Sequence, residues 1–185
     1  MFNGIIKNTG RIKNIYKKNN NCKLEILSNM SFKRDEIGSS ISCSGTCLTL
    51  EKFKKNLSQF YISAETLKKT NFKLLKKGDK INLEKSLKYG NRISGHFLQG
   101  HVDTTCVVKK ITILGKSWMV DFNLAKKYKR YLVEKGSIGI NGVSLTITKI
   151  QTNIFQVSII PQTLKFTNLI NLRLNEHVNI EFDIL

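Results

Sequence analysis

The sequence is poor in the residues that build metal centres and covalent staples. Its four cysteines, Cys22, Cys43, Cys47 and Cys106, form no C-x-x-C pair, and the Cys43–Cys47 spacing has no second ligand pair downstream. Its three histidines, His96, His101 and His177, are too scattered to complete a zinc site. No metal is expected, and four reduced thiols suit a cytoplasmic compartment. No run approaches the roughly 20 apolar residues of a membrane helix. The opening MFNGIIKNTG lacks the charged start, apolar stretch and cleavage site of a signal peptide. The expectation is a cytoplasmic protein with no membrane partner.

Acidic residues are scarce too, 13 against 31 basic ones, for a net charge of +18. Such a balance can signal nucleic acid. Here, however, the lysines come as scattered doublets (Lys17-Lys18, Lys54-Lys55, Lys68-Lys69, Lys76-Lys77, Lys109-Lys110, Lys126-Lys127). No basic stripe is interleaved with stacking aromatics, as a single-strand binder needs. Nucleic acid is therefore not the expected partner. A phosphate-binding loop is also missing. Gly136-x-x-Gly139-x-x-Gly142 lacks the G-x-x-x-x-G-K-[ST] spacing and lies between strands, so its glycines read as turns and close backbone approaches. No cofactor is expected.

What the sequence does have is itself, twice. SGTCLTLEK at 44–52 returns as NGVSLTITK at 141–149, an offset of 141 − 44 = 97 residues. The same offset aligns Ala64–Asn71 with Pro161–Asn168, and Asp79–Glu84 with Glu176–Glu181. Near the start the offset becomes 96 and places Phe2–Ile6 opposite Leu98–Val102. Four blocks in one order define a duplicated domain. Each copy alternates around β-favouring residues, as in CLTLEKF and IFQVSII, and hydrophobic content of 41% can fill two cores. AETLKKT and PQTLKFT read as one or two helical turns, the second opened by the only proline at a favourable first position. Lys126–Leu132 reads as another short helix. Short strands in units of this size predict two small antiparallel barrels, with a boundary in the polar stretch 88–92 that gives domains 1–92 and 93–185.

The copies differ where chemistry could sit. Cys47 and Ser144 occupy equivalent positions, each followed by Leu-Thr. His101 replaces Ile5, and Lys135 stands where the first copy has Gly38. His96 and His101, five apart, would point to opposite faces of a strand, and a lone histidine such as His96 is ordinarily a packing or surface residue.

MFNGII, G-x-C-L-T-L, S-G-H-F-L-Q-G-H-V-D, K-G-S-I-G-I-N-G-V-S-L-T-I and I-P-Q-T-L together resemble the riboflavin synthase family over essentially the whole chain. The resemblance implies a mainly β fold of two tandem, pseudo-twofold related six-stranded Greek-key barrels. It implies that two molecules of 6,7-dimethyl-8-ribityllumazine dismutate by transfer of a four-carbon unit, giving riboflavin and a pyrimidinedione, with no cofactor or metal. A dismutation binds one compound as donor and as acceptor, which is a reason to write one domain twice.

By motif, the first pocket is expected to use Gly4, Ile5 and Ile6, then Cys47, Leu48 and Thr49, and the run Tyr61, Ile62, Ser63, Ala64, Glu65 and Thr66. The second is expected to use Gly100, His101 and Val102, then Lys135, Ser144, Leu145 and Thr146, and the run Ile159, Ile160, Pro161, Gln162, Thr163 and Leu164. The expected catalytic groups are His101 and Ser144 for proton transfer or water positioning, Lys135 at the ligand's polar edge, and Cys47 as nucleophile or pocket wall. The plain alternative for Cys47 is a small buried apolar residue. Asn3 stands where the family usually has Thr, Ser44 where Asn is usual, and Asn141 at a position often acidic. Relatives commonly continue into a C-terminal helix that knits a homotrimer, so the expected trimer is a weakened one. Two rival readings stay open: a non-catalytic lumazine- or flavin-binding relative, and a basic nucleic-acid-binding barrel.

Overall fold

The computed structural model describes residues 1–18 and 21–185. The first copy forms β1 (Asn8–Lys18), β2 (Asn21–Ser28), β3 (Ser40–Cys43), β4 (Thr46–Lys54), β5 (Leu57–Ile62) and β6 (Lys80–Lys85). The second forms β7 (Thr104–Leu114), β8 (Ser117–Asn123), β9 (Ser137–Ile140), β10 (Val143–Ile150), β11 (Ile154–Ile159) and β12 (His177–Phe182). Each set closes into a six-stranded antiparallel barrel. The cyclic order β1-β2-β5-β4-β3-β6 repeats in the second barrel as β7-β8-β11-β10-β9-β12. The repeat extends to the irregularities. A bulge at Ile12/Asn14 recurs at Val108/Lys110, and one at Leu50/Lys52 recurs at Ile147/Lys149. Bulges sharpen strand bending, so equal bulges give equal barrel curvature.

Alternation decides which side chains fill the barrels. In β4, Leu48 and Leu50 are buried while Thr49 is exposed; in β10, Leu145 and Ile147 are buried while Thr146 is exposed. Each barrel encloses its own core, with Phe60 and Ile81 in the first and Phe122 stacked on Phe155 in the second. The short helices α1 (Ala64–Lys69) and α2 (Pro161–Phe166) follow β5 and β11. Ser63 caps α1 by accepting the Thr66 N–H, and Pro161 starts α2. The expected helix at Lys126–Leu132 is a 3₁₀ segment, Lys126–Tyr131.

The barrels meet through buried asparagines. The Asn71 N–H donates to Asn179 Oδ1 at 2.8 Å, and the equivalent Asn168 N–H donates to Asn82 Oδ1 at 2.6 Å. Asn82 Nδ2 donates to Asn141 O, and Asn179 Nδ2 to Ser44 O, both at 2.9 Å. Contacts of the form i to j and j to i mark a two-fold relation. Directional amide hydrogen bonds of this kind also fix orientation more tightly than apolar packing does.

Candidate functional site

Residues 1–7 and 97–103, which precede the two barrels, act as leaders, and they cross. Phe2 and Leu98 pair antiparallel, with N–H to O distances of 2.7 and 3.1 Å. Beyond that bridge each leader runs onto the opposite barrel. The Gly4 carbonyl accepts the Ser144 N–H at 2.9 Å, and the Gly100 carbonyl accepts the Cys47 N–H at 2.7 Å. Both glycines adopt left-handed backbone, φ +71° and +78°. A Cβ on Gly4 would lie 2.7 Å from Ser144 Cβ, and one on Gly100 would lie 2.7 Å from Cys47 Cβ. Only glycine fits such a contact.

This corrects the expected grouping. Gly4, Ile5 and Ile6 belong with the second barrel, whose core Ile6 joins; Gly100 and His101 belong with Cys47 of the first. An alignment of repeats is blind to such an exchange, because swapping two equivalent segments leaves every aligned pair unchanged.

The second-barrel site is a cavity of about 450 Å³ between the first leader, the start of β10 and α2, within the range of small-molecule pockets. Ile5, Ile160 and Phe166 give it an apolar wall, while Ser144, Gln162 and Thr163 supply polar groups. At its edge, His96 Nδ1 and Ser144 Oγ lie 2.6 Å apart. The ring is buried, and among the described residues its Nε2 has no hydrogen-bond partner. Burial pushes the His96 pKa down, with the nearby Asp183 charge acting weakly in the opposite direction. A neutral imidazole touching a hydroxyl can accept a proton through it.

His96 is the functional candidate that sequence reasoning missed. Neither His96 nor His101 lies on a strand, so an argument from strand faces does not apply. Asn3, which departs from the threonine usual in the family, has a structural part here. Its Oδ1 accepts the N–H groups of Ser94 at 2.9 Å and Gly95 at 2.8 Å, and so holds the turn that presents His96.

The first-barrel site is more polar. Cys47 is half-buried on the outer face of β4, and His101 follows Gly100 with its Nδ1 3.1 Å from Gln99 Oε1. Ser63, Glu65 and Lys69 stand where the second site has Ile160, Gln162 and Phe166. A groove of about 650 Å³ runs beside α1, between Glu65, Lys69, Asp103 and Tyr128. Ala64 and Glu65 line it; Cys47 does not.

The remaining expected residues divide by burial. Ile62, Leu48, Leu145, Ile159 and Leu164 point into the barrel cores, and Val102 is buried. They can offer a ligand backbone atoms only. Tyr61, Thr49, Thr146, Ile160, Pro161 and Gln162 are exposed, with Thr66 partly so. Lys135 is not brought to the second cavity. It is exposed in the turn before β9, with φ +66°, and its N–H donates to Ile147 O. Ile147 lies three residues along β10 from Ser144, roughly 10 Å at strand spacing.

Comparison with known proteins agrees with this architecture. The family described as "Lumazine binding domain" matches residues 3–86 and again 99–183. The chain is 36% identical over 185 residues to the riboflavin synthase of Actinobacillus pleuropneumoniae, covering 100% of this chain and 86% of that one. It is 38% identical over 189 residues to the riboflavin synthase of Buchnera aphidicola subsp. Schizaphis graminum, covering 99% and 89%. Among solved structures, LumP complexed with 6,7-dimethyl-8-(1'-D-ribityl) lumazine superposes with a TM-score of 0.85 at 27% identity, covering 98% of this chain and 99% of that one.

Proposed function

The chain belongs to the riboflavin synthase family of tandem lumazine-binding domains, and from that premise we propose that its two crossed sites carry out the family's dismutation. Two molecules of 6,7-dimethyl-8-ribityllumazine react; one gives a four-carbon unit to the other. The products are riboflavin and 5-amino-6-ribitylamino-pyrimidinedione, and together they hold all the atoms of the two substrates. No oxidant or reductant enters the balance.

The observation that carries this reading is the pair of equivalent sites armed with different groups, Cys47 and His101 in one, Ser144 and His96 in the other. Donor and acceptor are the same compound, so their binding determinants should match while their reactive groups differ. Holding both rings in register supplies part of the barrier lowering, up to roughly 7–11 kcal/mol in ideal intramolecular models. The 7-methyl protons are acidic because the lumazine ring delocalises the carbanion, so a neutral imidazole relaying through a hydroxyl is base enough.

In this proposal Ser144 and His96 handle the proton at the second site. Ile5 and Phe166 flank the ring, and Gln162 and Thr163 meet its polar edge. At the first site His101 and Cys47 face the partner molecule, with Thr49 and Glu65 beside it. A homotrimer and a cytoplasmic location complete the reading; sedimentation tests the first and cell fractionation the second.

The test is to mix purified protein with the lumazine and follow riboflavin absorbance and fluorescence. Riboflavin should form without added nucleotide and persist with a chelator present. Tight lumazine binding without riboflavin would instead identify a binding protein.

A further inference from the structure

Two carboxylates, Glu181 buried and Glu84 partly buried, hold the crossing leaders. Glu84, on β6 of the first barrel, accepts the N–H groups of Asn3 at 2.8 Å and Gly4 at 3.0 Å. Glu181, at the equivalent place on β12 of the second barrel, accepts those of Gln99 at 2.5 Å and Gly100 at 2.9 Å. Neither carboxylate has a basic side chain as an ion-pair partner among the described residues. Their counter-groups are the peptide N–H donors of the leaders, and hydrogen bonds to a charged group are about twice as strong as neutral ones.

Each leader glycine is therefore held at both ends by different barrels. The Gly4 N–H is bound by Glu84 of the first barrel, and its carbonyl by the Ser144 N–H of the second. The Gly100 N–H is bound by Glu181 of the second barrel, and its carbonyl by the Cys47 N–H of the first. One glycine separates each carboxylate from the reactive group of the opposite barrel. The glycines also pack directly on those groups, as the 2.7 Å approach of a Cβ at either position requires.

We infer that Glu84 and Glu181 are cross-barrel positioning residues: Glu84 fixes the wall over Ser144, and Glu181 fixes the wall over Cys47. This deepens the proposed function by saying how the geometry of one site depends on the other barrel. A carboxylate serving only its own barrel would show the reverse dependence.

The test reads leader position without turnover, so it stands apart from the riboflavin assay. Cys22, Cys43 and Cys106 are buried and Cys47 is half-exposed, so a thiol reagent such as 5,5'-dithiobis(2-nitrobenzoate) reports on Cys47 in the native protein. Glu181→Gln keeps the side chain's shape but gives it only one acceptor oxygen for two N–H groups. It should raise the Cys47 modification rate about tenfold, the effect of one lost charged hydrogen bond on leader opening. Glu84→Gln should leave that rate within about twofold. For the second site the reporter is Ser144→Cys combined with Cys47→Ser, and there Glu84→Gln should accelerate modification while Glu181→Gln should not. If either glutamine variant fails to fold, Glu84→Asp and Glu181→Asp, which keep the charge on a shorter arm, should give the same crossed pattern with smaller amplitudes. Equal acceleration of both reporters, acceleration confined to the variant's own barrel, or no acceleration at all would overturn the inference.

Discussion

The two sites are built on one plan and surfaced differently. Around the second, Ile5, Ile160 and Phe166 are apolar; the first has His101, Ser63 and Lys69 at the same places. Backbone geometry is shared down to the paired left-handed glycines and the paired bulges. Duplication therefore copied what places a ligand, and divergence fell on side chains that project outward from β4, β10 and the short helices. Those positions are free to vary because the barrel cores lie on the other face of each strand. An enzyme that treats two copies of one substrate differently needs this division between fixed backbone and variable surface.

The comparison breaks most severely at the glycines. Gly100→Ala would strain a left-handed residue and drive a Cβ to within 2.8 Å of the Cys47 backbone nitrogen. Left-handed strain and overpacking each cost about 1–3 kcal/mol. Loss of lumazine binding at the first site is expected, with binding at the second retained. Gly4→Ala should do the converse, and calorimetric stoichiometry reads both. If Gly100→Ala silenced the second site instead, the crossed arrangement would be wrong.

Next in size is the pair proposed to handle the proton, His96 and Ser144. His96→Ala or Ser144→Ala should lower turnover about 10²-fold or more while changing lumazine affinity little, the signature of a group used mainly in the transition state. His101→Ala tests the corresponding group of the first site in the same way. The pH dependence follows from burial. His96 has its pKa depressed below the ordinary 6.5 by desolvation, so its neutral form persists to lower pH than a free histidine's, and activity should fall only below the free-histidine range. For stability the sign is set by proton uptake. Between the depressed folded value and the unfolded one, the unfolded chain binds more protons, so His96's contribution falls as the pH drops through that window. Its imidazole NMR resonance should titrate below the range of a free histidine; titration at or above that range would show that burial does not depress it.

Much of this was legible beforehand. Repeat spacing gave two equal barrels, alternation in CLTLEKF and IFQVSII marked strands, and the proline opened α2 as expected. The crossing of the leaders was not legible, because equivalent segments can exchange partners without altering any local pattern. His96 was hidden for a related reason. Its importance comes from Ser144, 48 residues away, and from Asn3 holding its turn, neither of which is a local signal. Glu84 and Glu181 carry no local signal either, since the leader N–H groups they accept lie about 80 residues away in the chain.

A third measurement sharpens the apolar–polar contrast. Phe166 is 41% exposed beside the second cavity, and Lys69 is its counterpart. Phe166→Lys would make the second site resemble the first. An aromatic contact contributes about 0.5–1.5 kcal/mol beyond area burial, so lumazine affinity there should drop roughly three- to tenfold with stability nearly unchanged. An unchanged affinity would place the ring elsewhere.

The smallest expected effect belongs to the threonines. Thr49 and Thr146 are equivalent, exposed, and one step beyond Leu48 and Leu145 on the faces that carry Cys47 and Ser144. Among the described residues neither hydroxyl has a structural hydrogen bond, so replacement by Val keeps the β-branched shape and leaves the folded chain intact. What it removes is one neutral hydrogen bond to a ligand, about 0.5–1.5 kcal/mol, or roughly two- to tenfold in affinity. The loss should appear as weaker binding with turnover at saturation preserved, because such a contact holds substrate and transition state alike. Thr49→Val and Thr146→Val should moreover match each other, unlike the unequal pair above them, Cys47 and Ser144. If one valine variant lowered saturated turnover and the other did not, the difference between the sites would extend into the residues assigned to binding, and divergence would not be confined to the reactive groups and the wall.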